Sequence, residues 1–578
     1  MKEARGKMEE GRFKIQFILC FFLLSSFFSL PSSAHAGLSD TIDILDRIPI
    51  QHNGRVKPFQ SFAQETSLHI TGRKSYEGIP ATQLVWNWIT HPEFWNAKPL
   101  IPVVFRPLRK EFSVMLVDNK ISPEMVSSYQ PFLDQVEQAG AKQRKKQNLT
   151  VLEKEVLALY SKARRFNDIG SGVEPGWMPH PENSRQAWFT FQAFAKPEEQ
   201  IALAKSFPDQ KTDQVRNALQ NLIEAYRANP SSDETTQKAK QFSQALSELR
   251  ESGKIALDQK VLDLEIIYDR LHPFGWAWKF YAAALLLFIL LGLSLRASNK
   301  IALPFFITGF LIHSYGFYLR CVVAGRPPVT NMYESLVWVS WAICFFSLIL
   351  FAVYKSSVLP AAAGAVATLA LIVAETFPAV LDPSVSPLVP VLRSNYWLTI
   401  HVLTITLSYG AFALAWGIGH VVVVAHAMNP EKDERNQMLA QYLYRAVQIG
   451  VILLATGTVL GGVWANYSWG RFWGWDPKET WALIALLGYL TVLHGRFVGW
   501  LDVFGLAAAS VIAFAGVVMA WYGVNFVLAA GLHSYGFGGG GAPYVLGAVL
   551  LDFVLIGALI WRYRHRVKEI TGKGIGQV

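Results

Sequence analysis

An all-α polytopic membrane protein of about nine spans, preceded by a mostly helical exported domain, is the fold class this sequence predicts, and three observations predict it. The 578 residues are 52% hydrophobic and 13% aromatic, more than a soluble chain of this length usually carries. From Trp276 onward, apolar runs of spanning length follow one another, each long enough to cross a hydrocarbon core as a helix. Lys and Arg gather in alternate loops between those runs, the asymmetry that orients membrane helices. The net charge of +10 sits, beyond Pro273, largely in short loops beside apolar runs, which excludes nucleic-acid binding as its purpose.

Residues 1–36 read as a signal peptide: Lys2, Arg5, Lys7, Arg12 and Lys14 precede an apolar run from Ile15 to Leu30, and Ala34-His35-Ala36 offers a small-residue cleavage site. An uncleaved anchor is the alternative; either one exports the domain that begins at Gly37. The cysteines are Cys20, Cys321 and Cys344. One lies in the signal and two in or beside spans, so neither an exported disulfide framework nor a Cys-x-x-Cys redox pair is present.

Residues 37–272 have the composition of an exported soluble domain. "IPIQHNGRVKPFQSFAQE" opens it, Trp86, Trp88 and Trp95 come next, and charge-rich helical sequence takes over. Val215, Leu219, Leu222, Ile223 and Tyr226 share one face at a 3.6-residue period, as do Val261, Leu264, Ile267, Tyr268 and Leu271. Its histidines show no metal-ligand spacing.

Spans are expected near 277–295, 301–320, 335–354, 357–377, 396–425, 446–466, 480–498, 502–528 and 543–561, within a membrane domain of residues 273–578. With the 37–272 domain outside, the inside connections "RASNK", "YKSS", "NPEKDERNQ", "GRFVGWLD" and the tail "RYRHRVKE" hold most of the loop Lys and Arg. The outside connections then include "SWGRFWGWDPKETW", Ser468 to Trp481. Four indoles between two spans are either an interfacial belt or a platform for a large flat ligand, and the interleaved glycines favour the platform.

Three histidines acquire positions in that topology. His401, one to two turns into its span, and His533, in the last outside loop, share a side with the tryptophan segment. His494 follows Thr480 by 14 residues, which puts it roughly 21 Å deeper, buried at membrane depth. Ionisable groups there face a bundle interior or a pathway, or form a hydrogen bond to a neighbouring helix. Two neutral imidazoles on opposite faces of a porphyrin hold iron in six-coordinate form. Asp476 either orients a ligand histidine through its ring N–H or caps the helix starting at Pro477. His420 and His426, near the inner end of a span, either mark an entrance or sit in favourable contact with a helix C-terminus. Arg320 and Arg326 either pair with carboxylates of a ligand or anchor to headgroups.

"WGRFWGWDPKETWALI" resembles the tryptophan-rich WWD signature of the haem-handling family that includes CcsA (also called ResC), CcmC and CcmF. "GRPPVTNMYESLVW", "RSNYWLTIHVLTITLSYGAFALA" and "NFVLAAGLHSY" are similar to further CcsA segments in the same order, over roughly residues 276–565. The resemblance implies haem transport and presentation to exported apocytochrome c for covalent attachment at CXXCH, as part of a synthase complex. It implies haem b as cargo, a CcsB (ResB)-like membrane subunit and apocytochrome c as partners, with a thiol-reducing protein as a further one. It places the chain in the bacterial cytoplasmic membrane, the 37–272 domain and the WWD segment being periplasmic. Carried onto this sequence, His401 and His533 are the external haem ligands, Trp469, Trp473, Trp475 and Asp476 form the platform, and His494 ligates haem within the membrane. The region before Trp276 has no stack of spanning runs that would supply the second intramembrane histidine, so either a separate subunit or His313, mid-span in "FLIHSYGFYLR", supplies it. A haem exporter that hands its cargo to another synthase is the second reading, and a transporter of an unrelated solute the third.

Overall fold

The computed structural model describes residues 36–181, 186–292, 296–378, 380–387, 394–429, 434–528 and 541–574. The expected signal peptide and His533 lie outside the described residues. The described residues fall into two compact units: an N-terminal one running to Leu271 and including Ser384–Pro387, and a second one from His272 onward.

The N-terminal unit mixes short hairpins with helices. β1 (Pro49–His52) pairs antiparallel with β2 (Arg55–Pro58), joined by Asn53-Gly54, both at positive φ, as a tight two-residue hairpin requires. α1 (Phe59–Thr71) follows directly, and α2 (Ala81–Thr90) carries Trp86 and Trp88. Both indoles are fully buried with Trp177, which lies parallel to Phe191 at 4.6 Å between ring centroids. α3 (Val151–Gly170) begins with a capping box in which Thr150 and Glu153 exchange bonds with each other's backbone.

α4 (Asp209–Ala228) and α5 (Asp233–Ser252) pack as a pair. The expected stripe of α4 is buried at Val215, Leu219, Leu222 and Tyr226. The stripe expected of α6 (Gln259–Leu271) is corrected: Leu262, Glu265 and Ile266 are buried, whereas Ile267 and Leu271 are exposed. The reason is electrostatic. Arg55 reaches both oxygens of Glu265 at 2.7 Å, and Ser61 donates to Asp269 at 2.6 Å, so charge rather than an apolar stripe sets the rotation of α6.

The regular structure among the second unit's described residues is all helical, with α7 (Pro273–Leu291), α8 (Arg296–Ala324), α9 (Met332–Tyr354), α10 (Val358–Thr376), α11 (Leu403–Met428), α12 (Glu434–Trp469), α13 (Pro477–Phe497), α14 (Val503–Val518) and α15 (Ala542–Gly574) as its long elements. Among the described residues nine helices are long and apolar enough to cross a membrane. The expected spans match them in number and order; α12 is longer than expected because polar Glu434–Arg445 continues the helix before the apolar run. α11 is central, packing on α9, α10, α12 and α14. Of its apolar stretch 67% is buried, against 6% for α15.

Candidate functional site

A π-helical turn, Leu398–Val402, leads into α11 and carries His401; such wide turns recur at functional sites. The His401 Nδ1–H donates to the Gly457 carbonyl of α12 at 2.9 Å. A carbonyl only accepts, so the neutral ring keeps its lone pair on Nε2, the state in which an imidazole ligates a metal. The close approach depends on two glycines one turn apart. A Cβ at Gly457 would lie 2.8 Å from Ile405 Cβ, and one at Gly461 would lie 2.6 Å from His401 Cε1. Trp464 meets the imidazole edge-on at 5.7 Å and is parallel to Trp397 at 6.4 Å, which also contacts Tyr467.

The tryptophan segment folds back onto the same stretch of α12. Gly470, at φ +71°, ends the helix, and the ring of Phe472 lies over Gly462, where a Cβ would sit 2.6 Å from its Cζ. His401 and Phe472 therefore occupy the adjacent glycines Gly461 and Gly462. Trp473 and Trp475 meet at right angles, centroids 5.9 Å apart, and the Arg471 guanidinium lies 5.8 Å from the Trp469 ring. Trp475 is 70% exposed at φ +57°, a costly conformation for a bulky side chain that here turns an indole outward.

Asp476 is buried and caps α13: its Oδ1 accepts from Lys478 N at 3.0 Å, while Glu479 Oε2 accepts from Gly474 N and Asp476 N at 2.8 and 3.2 Å. Asp476 thus fills the capping role read for it. Arg471 reaches Glu479 Oε1 at 3.4 Å, tying the segment to the same acid.

α13 ends at Phe497, so His494 lies in its last turn, with its side chain exposed at the surface of the described unit; depth along a helix does not set which face a residue occupies. Its Nδ1 donates to the Leu490 carbonyl at 2.8 Å, which again leaves the lone pair on Nε2. His313 is fully buried, with Nδ1 3.2 Å from the Tyr281 hydroxyl and with Phe274 and Phe317 against its ring.

Sequence reasoning passed over two carboxylates. Glu334 is buried near the start of α9, where Asn331 caps the helix. Its Oε1 accepts from Arg320 Nε and Nη2 at 3.0 and 2.9 Å, and its Oε2 accepts from Thr330 N and Oγ1 at 2.8 and 2.6 Å with Arg326 at 3.5 Å. Arg320 and Arg326 thus neutralise an internal acid. Asp552 on α15 accepts from Trp416 Nε1 and shares a hydrogen bond with His420 Nε2, so His420 faces a carboxylate and not only a helix end. His426 is buried against Phe504 and Tyr563. A carboxylate inside an apolar run was the available signal for Asp552, and the Gly-x₃-Gly spacing of 457 and 461 the signal for the α11–α12 contact.

With this geometry in hand, comparison with known proteins is specific. The sequence model of the family Cytochrome C assembly protein matches residues 329–533. The cytochrome c biogenesis protein CcsA of Synechococcus sp. (strain CC9311) is 34% identical over 257 residues, covering 38% of this chain and 82% of that protein. CcsA of Prochlorococcus marinus (strain AS9601) is 33% identical over 270 residues, 42% of this chain and 86% of the relative. Protein NrfI of Wolinella succinogenes is 28% identical over 512 residues, which cover 83% of this chain but only 53% of NrfI. This chain therefore spans about half the length of that relative. A share of 83% exceeds what residues 273–578 contain, so the similarity to NrfI reaches well into the N-terminal unit.

Proposed function

This chain belongs to the CcsA family of cytochrome c biogenesis proteins, and on that premise we propose that it carries haem b through the bacterial cytoplasmic membrane and presents it to exported apocytochrome c. The observation that carries this reading is His401: an imidazole whose Nδ1–H is fixed on Gly457 O at 2.9 Å, ring edge on an indole, with the tryptophan segment folded onto the neighbouring glycine. A metal-ligating histidine is oriented in this manner, its second nitrogen held by a carbonyl.

In this reading His401 Nε2 and His533 bind the two faces of the iron on the periplasmic side, and the indoles of Trp469, Trp473 and Trp475 cover the apolar porphyrin. Each thiol of a CXXCH segment adds across a haem vinyl group, forming a C–S bond while the thiol proton ends on the adjoining carbon. The protein supplies position and iron coordination, and the nucleophiles belong to the apocytochrome. His494, exposed near the end of α13 with its lone pair on Nε2, supplies one intramembrane ligand to a CcsB-like subunit that brings the other. His313 is the weaker source of that second ligand, because Phe274, Tyr281 and Phe317 enclose its ring. The N-terminal unit, on the same periplasmic side, contacts the partner subunit, the apocytochrome or a thiol reductant.

The test is spectroscopic. His401→Ala and His533→Ala are expected to lose the low-spin bis-imidazole haem signature while the chain still inserts, and added imidazole is expected to restore it. Unchanged spectra in both variants overturn the assignment. Co-expression with a CcsB-like subunit and a CXXCH reporter separates synthase from carrier: covalent haem only when both are present supports the synthase, and haem-loaded protein that never yields thioether product supports the exporter.

A further inference from the structure

We propose that Trp416, His420 and Asp552 form a polar clasp that fastens α15, the helix following His533 in sequence, to α11, the helix following His401, and so positions the external haem site. The inference rests on the proposed function for its consequence, but the clasp itself stands on geometry.

Asp552 is the one carboxylate between Ala542 and Lys568. Its Oδ1 lies 2.8 Å from His420 Nε2, and its Oδ2 accepts from Trp416 Nε1 at 3.2 Å. His420 Nδ1 donates to the Trp416 carbonyl at 2.9 Å, and the two rings meet at 4.4 Å. Both imidazole nitrogens thus face acceptors. The hydrogen-bond count needs one proton more than a neutral imidazole and a carboxylate supply together, which makes the pair a net-neutral unit whether the proton sits on nitrogen or oxygen. Such a pair belongs in an apolar layer far better than either charge alone.

Apolar packing does little to fix α15. Only 6% of its apolar stretch is buried, and a Cβ at Gly547 or Gly557 would meet nothing within 4 Å. Between it and α14 lies a cavity of about 260 Å³ lined by Ile512, Phe553, Ile556, Gly557 and Ile560. In a bilayer, lipid replaces such contacts at no loss, so directional polar bonds decide where a helix docks. At its far end α15 is tied again to α11, where Arg562 Nε donates to Ala427 O at 3.2 Å and Arg566 to Met428 O, and to α14, where Tyr563 stacks on Phe504 at 4.0 Å. Of these two ties, the clasp at Asp552 is the nearer in sequence to His533, and the imidazole turn leads directly into α11.

The test uses the full chain in nanodiscs, with its three cysteines replaced by alanine and spin labels on Val424→Cys of α11 and Val554→Cys of α15. Asp552→Leu is expected to broaden the α11–α15 distance distribution and to convert low-spin haem to a high-spin, imidazole-responsive form with total haem retained. Asp552→Asn, which keeps the bond to Trp416, is expected to recover much of both. Trp416→Phe, which removes one N–H and leaves the helix intact, gives the same direction of change should Asp552→Leu fail to insert. An unchanged distance in Asp552→Leu and Trp416→Phe overturns the clasp, and a broadened distance with unchanged haem spin state overturns its positioning role. Should the unsubstituted chain bind no haem, the proposed function fails while the distance measurement still decides the clasp.

Discussion

The two units place charge in their interiors by different rules. In the N-terminal unit, β2, α1 and α6 share one network: Arg55 binds Glu265, Lys57 binds Glu65, and Ser61 binds Asp269, beside a core built on Trp86, Trp88 and Trp177. Water drives that core together, and the charged groups orient elements that burial already favours. In the membrane unit the polar residues stand in isolated clusters, each at a helix start or a helix crossing: Glu334 with Arg320, Asp476 with Lys478 N, Asp552 with His420. Apolar surface there has lipid as an equal alternative to protein. A buried polar group in the membrane unit is therefore the stronger indicator of where a helix must sit.

That contrast is broken most readily at Glu334. Glu334→Gln leaves Arg320 buried without its charge partner, a defect that typically costs about 3–5 kcal/mol. Glu265→Gln in the N-terminal unit is expected to cost less, since Arg55 keeps Glu65 within 3.9 Å and is itself partly hydrated. Hydrogen exchange on peptides covering 320–334 and 55–65 compares the two directly. Greater loss of protection at 55–65 contradicts the distinction. Replacing both partners, Arg320→Met with Glu334→Leu, is expected to recover much of the loss.

The same contrast explains which features are legible in the sequence. Spans can be read because twenty apolar residues in a row admit one structure in lipid. Faces cannot: the position of His494 along its helix is legible but the face it occupies is not, and Glu265 displaces the stripe of α6. His401 stands out from its position beside a loop, whereas its partners Gly457, Gly461 and Trp464 come from a helix more than fifty residues away. Contacts of that separation leave only indirect traces, such as two glycines one turn apart. Asp476 is legible as a cap because a cap is a local motif.

A pH titration sharpens the comparison at a smaller scale. His52 sits against Arg165, which donates to its Nε2, and burial first, then the Arg165 charge, push its pKa from 6.5 down to about 2. The folded unit therefore holds it neutral while the unfolded chain protonates it below pH 6.5. Its contribution is complete above that value and is lost progressively as pH falls toward about 2. At pH 5 the loss is roughly 2 kcal/mol. The protection factor at the β1–β2 hairpin, corrected for the intrinsic exchange rate at each pH, is expected to fall on acidification while that of α11 stays level, and His52→Gln is expected to flatten the response; an equal fall in both units contradicts it.

The smallest expected effect lies at Asp476 and separates local structure from ligand chemistry. Loss of an N-cap costs about 1 kcal/mol, and Asn caps nearly as well as Asp. Asp476→Ala is therefore expected to fray the first turn of α13 and release Glu479 from Gly474 N and Asp476 N, loosening the turn that holds Trp475 at positive φ. Asp476→Asn keeps the cap and removes only the charge. Retained exchange protection and an unchanged haem spectrum in the Asn variant assign the residue to holding the tryptophan turn. A protected helix with an altered spectrum would instead mean that the carboxylate itself acts on a ligand imidazole, as a charged hydrogen-bond partner that raises its basicity.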